Sequence, residues 1–390
     1  MNKLKAYWHS SIEDLSEETW KLVSCKSSNP FLKWSWLSKL EKSESICADK
    51  GWQPLHLSIW EGNNIIGIAP LYLKSHSYGE FIFDNIFVDL SRELGLKYYP
   101  KLIGMSPLSP IQGYKFLICK EEDEEELTAL MLQLIEDFAN KNGILSCNFL
   151  HTDPDWTTLV EKYNYSKWLH QYSLWMASDS KNFADYLSKF NSNQRRNIKR
   201  ERKKIQESGF KINILEGSSI NENIMDNMYN LYSLHCSKWG PWGSKYLSKE
   251  FFKLVANSAL RENLVLFSAH KESLSQPVAM SMCVRDQDML WGRYWGSEVD
   301  ADFLHFELCY YSPISWALEN QIKFFDPGAG GKHKSRRGFV SKERASIHKW
   351  FNPTLNKLIK TWLPKANQMM REKIDLDNDS LPFTSQSSKI

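Results

Sequence analysis

Several kinds of chemistry are excluded by what this chain lacks. Its 390 residues hold seven cysteines, Cys25, Cys47, Cys119, Cys147, Cys236, Cys283 and Cys309, widely spaced and never in a Cys-x-x-Cys pair. Neither a zinc finger nor a disulfide scaffold is written that way, and the thiols read as reduced and mostly buried. No uninterrupted apolar run approaches the roughly 18 residues of a membrane span. The opening MNKLKAYWHSSIEDLSEE lacks the apolar centre of a signal peptide. A soluble cytoplasmic protein without an integral membrane segment is the expectation. Charge of one sign is scarce as well: 49 Lys+Arg against 46 Asp+Glu leaves a net +3, too little for obligate nucleic-acid or membrane binding by bulk electrostatics. There is no G-x-S-x-G elbow, no H-E-x-x-H and no cysteine–histidine zinc spacing, so serine-hydrolase and metalloenzyme readings have no support and no metal is expected.

What is present is a globular composition, 42% apolar and 24% charged, with 16 Trp, 16 Tyr and 20 Phe. That aromatic load suits dense cores and aromatic-lined clefts. The length predicts two domains of roughly 150 to 200 residues, placed at 1–175 and 176–374, with 375–390 a flexible tail by composition.

Periodicity gives both halves the same order of helix, hairpin, helix and strand. Residues 29–42 read as an amphipathic helix; LHLSIW and IIGIAPLYLK form a hairpin across Glu61, Gly62, Asn63 and Asn64; residues 81–88 and 101–105 look extended. The acidic run 121–127 opens a helix whose first turn places carboxylates at the positive end of the dipole. In the second half a basic helical pattern over 183–208 precedes the strand KINILEG, two helices, a hairpin with a further strand over 264–297, and the helix FLHFELCYYSPISWALENQ.

Four constellations carry candidate chemistry. In IKFFDPGAGGKHKSRRGF an apolar strand runs into Gly328, Gly330 and Gly331, whose bare backbone lets amides approach an anion, with Lys332, His333, Lys334, Arg336 and Arg337 as donors around it. The alternative is a merely soluble basic loop; a Walker loop is excluded because Asp326 and His333 stand where that motif needs glycine and a hydroxyl. Second, Glu307, Tyr310, Tyr311 and Ile314 share a helical face, which places a carboxylate among aromatics as a general base, or else as a satisfied buried hydrogen-bonder; His305 points to another side. Third, residues 191–204 carry a local +6, with Arg195, Lys199 and Arg202 along one side and Arg196, Arg200 and Lys203 along the next. Arg195, Arg196, Lys199 and Arg200 are phosphate-contacting candidates, or else a solvated face. Fourth, His76, Tyr78 and Glu80 alternate as on a strand face, followed by Asp84, Tyr98, Tyr99 and Lys101.

The segments WQPLHLSIWEGNNIIGIAPLYLKSHSYGEFIFD, LKYYPKL, RYWG with LHFELCYY, and FFDPGAGGKHKSRRGF occur in that order. Together they resemble the FemAB-like N-acyltransferases described as peptidoglycan biosynthesis/recognition proteins, a branch of the GNAT superfamily. The resemblance implies an α/β fold of two tandem GNAT-like domains, mixed sheets flanked by helices. It also implies acyl or aminoacyl transfer to an amine, with acyl-CoA or aminoacyl-tRNA as donor, a small-molecule or peptide acceptor, and tRNA or a lipid-linked precursor as partner. His76, Tyr78, Gly79, Glu80 and Asp84 match the family's first motif; His305, Phe306, Glu307, Pro327, Gly328, Gly331, His333, Lys334, Arg337, Gly338 and Phe339 match the later ones. With Tyr99, Lys101, Arg293, Tyr310, Tyr311 and Gly330 these are the expected substrate contacts. Glu307, His305 or His333 is expected to deprotonate the amine while the glycine-loop amides and Lys334 or Arg337 stabilise the oxyanion. The rival reading is a noncatalytic protein that binds peptidoglycan precursors or peptides in an interdomain cleft, and a third is RNA binding through residues 191–204.

Overall fold

The computed structural model describes residues 4–25, 29–240, 243–271 and 274–384, except for the side chain of Lys332. They divide into two compact units: one made of the N-terminal stretch to His170 plus Glu343–Glu372, the other of Gln171–Lys342 plus the chain from Lys373. A single boundary at 175/176 therefore does not describe the chain path, because 343–372 returns to the first unit. The reason lies in the sheet: Ile347 to Trp350 pair antiparallel with Phe149 to Ser146.

In the first unit the hairpin strands His56–Glu61 and Asn64–Ala69 form as their turn residues require, joined by Leu4–His9 on one side and the two-residue strand Leu117–Ile118 on the other. Pro70 has no N–H to donate to a ladder, and beyond it Tyr72–Lys74 leaves this sheet to pair with Trp52–Pro54 and Lys101–Gly104 in a second one. Lys101–Gly104 in turn runs parallel to Ser146–Phe149. The acidic helix occupies Glu124–Lys141, with Asp123 capping the amides of Glu125 and Glu126 at 2.9 Å. Its face of Leu127, Met131, Leu132 and Ile135 enters the core around Phe116, Phe149 and Trp156.

Residues 85–93 are helical rather than extended. The apolar residues of FIFDNIFV satisfy strand alternation, yet Phe87 and Ser91 are also four apart, and that spacing buries Phe87 against Trp350, Leu355 and Ile359.

In the second unit Phe210–Glu216, Leu264–Lys271, Ala279–Asp286 and Met289–Ser297 form an antiparallel run, with Phe210–Glu216 at its edge. Phe324–Asp326 adds parallel to Met289–Ser297, and Trp175 and Met176 pair with Phe325 and Phe324. Gly296 has a packing reason: a Cβ there would stand 2.1 Å from the backbone of Leu231 in the helix Glu222–Ser237. The basic stretch splits into Phe183–Ser188 and Ser192–Glu207. Of the expected tail, residues 385–390 lie outside the described residues; 375–379 complete the helix Pro353–Asp379, and Phe383 packs 5.3 Å from Phe190. No helix among the described residues is long and apolar enough to cross a membrane.

Candidate functional site

In the first unit the motif residues sit on a loop, not on a strand: the chain leaves Tyr72–Lys74 and stays irregular until Asn85. His76, Tyr78 and Glu80 therefore do not share a face. Tyr78 is 65% exposed, whereas Glu80 and Asp84 turn inward onto Lys101, which is itself 2% exposed. Lys101 Nζ lies 2.7 Å from Glu80 Oε2 and from Ser77 Oγ and also bonds Asp84. Tyr98 donates to Asp84 at 2.7 Å, and Ser77 Oγ lies 2.9 Å from Tyr99 Oη. Burial pushes Glu80 up to about 7 against the pull of Lys101. Burial acts the same way on Asp84, but the Lys101 ammonium and its hydrogen bonds hold that carboxyl below its ordinary value. The group is an internal charge network, well placed to fix the loop and poorly placed to meet a substrate.

Two features of this unit had no signal in the sequence. Lys74 is fully buried, with Nζ 3.6 Å from the centroid of the Trp52 ring and 3.1 Å from Tyr78 O. Burial drives it down to about 7. Ser346 Oγ lies 2.6 Å from His170 Nε2 and 2.7 Å from His348 Nε2, while His348 Nδ1 lies 2.8 Å from Asn148 Oδ1. Asn148 Nδ2 donates to Leu102 O and Ser146 Oγ, so Oδ1 accepts from His348 Nδ1–H, Ser346 donates to His348 and His170 donates to Ser346. Serine, histidine and asparagine are arranged as in a nucleophilic triad, yet Ser346 is 0% exposed and no substrate reaches it.

In the second unit the helix expected over 303–319 is Leu304–Phe306, a wide π turn Glu307–Tyr311, and Ser312–Glu319. The extra residue in the turn disperses the face that Glu307, Tyr310 and Tyr311 were expected to share. Glu307 meets the basic helix instead of aromatics: Arg202 Nε lies 3.1 Å from Oε2 and Nη2 2.9 Å from Oε1, with Ser312 Oγ donating to Oε1 at 2.9 Å. Tyr311 Oη donates at 2.5 Å to Glu201, which also takes Arg337 Nη2 at 2.7 Å. Tyr310 goes the other way, its hydroxyl 2.9 Å from His333 Nε2.

His333 is the centre of a second grouping. The ring of His305 lies 5.5 Å from it, 5.4 Å from Tyr310 and 5.2 Å from Trp295, with Phe306 5.3 Å from His333. Burial, then Arg337 and Lys334, lower His333, and burial with His333 beside it pushes His305 down to about 3, so both imidazoles are neutral at pH 7. Gly328, Gly330 and Gly331 have φ of 85°, 71° and 86°, a left-handed run that side chains resist. Lys334 and Arg337, expected as oxyanion donors, are buried braces: Lys334 Nζ donates to Gly328 O at 2.6 Å, and Arg337 Nη1 to His333 O at 2.9 Å with its guanidinium 3.5 Å from the Phe306 centroid. The amide of Gly328 donates to Asp326 Oδ1 at 2.8 Å. Arg293 rests 5.6 Å from the ring of Tyr294.

On the basic helix, Gln194, Ile198 and Ile205 are buried, Arg195 is half-buried, and Arg196, Lys199 and Arg200 are exposed. Arg202 turns inward, so it does not line a charged side with Arg195 and Lys199. Among the described residues no cluster of three His, Cys, Asp or Glu side chains could hold a metal ion.

Residues 11–385 match the family model FemAB-like, described as peptidoglycan biosynthesis/recognition. The chain belongs to the FemAB-like family. Its fold is shared with solved structures at identities too low to carry more than fold. The crystal structure of FemX is 10% identical, with a TM-score of 0.53 over 91% of this chain and 99% of that one. The C-terminal DUF2156 domain of an Agrobacterium fabrum protein is 9% identical, with a TM-score of 0.51 over 88% and 94%. A tandem GNAT protein from the clavulanic acid biosynthesis pathway is 8% identical, with a TM-score of 0.47 over 90% and 99%. No curated protein sequence matches the chain. The mixed α/β architecture is thus a fold that this FemAB-like protein shares with FemX and the DUF2156 domain.

Proposed function

We propose that this FemAB-like protein transfers an activated acyl or aminoacyl group to an amine, with His333 as the base. The observation that carries the reading is the contact of His333 Nε2 with Tyr310 Oη at 2.9 Å, directly after the glycine run 328–331. With Nε2–H directed to Tyr310, Nδ1 keeps its lone pair. The amine nitrogen bonds to the donor carbonyl carbon as its proton passes to Nδ1; when the carbonyl–sulfur or carbonyl–oxygen bond breaks, the imidazolium returns that proton to the leaving thiolate or alkoxide and the ring is neutral again. Glycine-loop amides beyond Gly328 receive the oxyanion, while Lys334 and Arg337 hold the loop and ring in place. Glu307, already engaged by Arg202 and Ser312, anchors the π turn that presents Tyr310.

The donor is an acyl-CoA or an aminoacyl-tRNA, whose phosphates the exposed Arg196, Lys199 and Arg200 suit; the acceptor is an amine of a peptide or a lipid-linked cell-wall precursor. Native mass spectrometry of the purified chain identifies a co-purified donor. Incubation with that donor and an amine-bearing precursor should then yield the acylated product. Tight binding of precursor with no product from either donor class, and no loss of binding in His333→Asn, would establish a noncatalytic recognition protein instead.

A further inference from the structure

The second unit holds a cavity of about 340 Å³ whose lining includes Glu307 but not His333, at the lower end of the range for small-molecule sites. Its two walls differ. Phe210, Ile212 and Ile214 stand two apart on the edge strand and present one apolar face, completed by Ile205 and by Trp316, whose ring is fixed by donation from Nε1 to Glu216 at 3.1 Å.

The polar wall offers both signs of charge. Arg202 spends its Nε and Nη2 on Glu307, and among the described residues Nη1 meets only Ser315 Oγ, at 3.5 Å, the outer limit of a hydrogen bond. Nη1 therefore has one N–H left for an acceptor and a second held only at that limit. Glu319, exposed and also lining the cavity, sits four residues after Ser315 on the helix Ser312–Glu319, one turn along the same face. A positive donor and a carboxylate one turn apart beside an apolar wall match a ligand with a carboxylate and an ammonium on one carbon and a hydrocarbon side chain.

We propose that this cavity binds a small zwitterion with an apolar side chain, the chemistry of a free leucine-like α-amino acid. Its carboxylate meets Arg202 Nη1 and Ser315 Oγ, its ammonium meets Glu319, and its side chain lies on Ile212 and Ile214. Neither His333, Tyr310 nor the glycine loop lines the cavity, and the proposal does not depend on the acyl-transfer reading.

The test is calorimetric titration of the full chain with L-leucine, with 3-methylbutylamine, which lacks the carboxylate, and with 4-methylpentanoate, which lacks the ammonium. Leucine is expected to bind at least about tenfold tighter than either. Glu319→Gln should bring leucine down to the level of 4-methylpentanoate, and Ile212→Trp, which fills the apolar side, should abolish binding. Ile214 is 43% exposed, so Ile214→Asp tests the same wall with little risk to folding and should weaken leucine about tenfold. Equal affinity for all three probes, unchanged leucine binding in Ile214→Asp, or no heat at about 10 mM leucine overturns the assignment. Because the readout is binding, failure of acyl transfer would leave this result untouched, and the reverse holds.

Discussion

Arg202 grips Glu307 side-on, through Nε at 3.1 Å and Nη2 at 2.9 Å, and so ties the basic helix to the π turn. Its chain neighbour Glu201 makes the opposite pairing with Arg337. Arg202→Met leaves the buried Glu307 carboxylate with Ser312 alone and is expected to cost about 2 kcal/mol, reduced from the value for a fully buried pair because Arg202 is 27% exposed. Glu307→Gln should cost about 1–2 kcal/mol, and urea midpoints measure both. If Glu307→Gln lowers turnover by the factor expected of a lost base while its midpoint is unmoved, Glu307 acts chemically and the assignment to His333 fails.

His333→Asn is expected to lower kcat by about 10²–10⁴ with the fold retained. In the wild type kcat/KM should rise with pH through a value below 6.5, since burial, Arg337 and Lys334 depress the ring from its ordinary 6.5. Tyr310→Phe should keep the limb and shift its position; a limb that survives His333→Asn assigns the base elsewhere.

At Gly331 a Cβ would stand 3.0 Å from His333 Cε1, at a φ of 86°. Gly331→Ala is expected to strain the backbone by about 1 kcal/mol and displace the imidazole, lowering kcat more than it raises KM. Gly95, with φ of 67° and open space around it, is the control: Gly95→Ala should show the strain and leave kinetics unchanged.

Acid should destabilise the first unit through His348. Burial, then His170 and Lys101, hold this ring well below 6.5, so between pH 7 and 5 the unfolded chain takes up a proton that the folded one refuses. Its contribution is whole above the unfolded value and is lost as pH falls, by about 2 kcal/mol on reaching pH 5. Urea titrations at the two pH values measure it; the loss should shrink in His348→Gln, and an equal loss in that variant would refute the assignment.

The elements with strong local grammar were legible. Asp123 within the acidic run, the Gly62–Asn64 turn and the apolar spacing of 222–237 and 249–256 each specify an element without help from afar. What could not be read depends on distant partners. The strand Val340–Trp350 is shaped by Ser146–Phe149, some 200 residues earlier, and Lys74 reads as an ordinary surface lysine until Trp52 covers it. At the site, His333, Tyr310 and the glycines were visible as residue types, but the π turn that separates Tyr310 from Glu307 was not. Nor was the inward turn of Lys334 and Arg337, because charge in a basic run carries no sign of burial.

The return of residues 343–372 to the first unit also sets a timetable for synthesis. When the ribosome has released His170, the edge that pairs Phe149 with Ile347 has no partner, and Thr152 lacks the carbonyl of Ala345 to which its amide bonds at 2.9 Å. At roughly 5–20 residues per second that gap stays open for about 10–30 s while residues 171–342 of the other unit are made. A nascent chain stalled inside that window exposes an unpaired strand, the kind of edge that chaperones capture and that joins neighbouring chains on a crowded polysome.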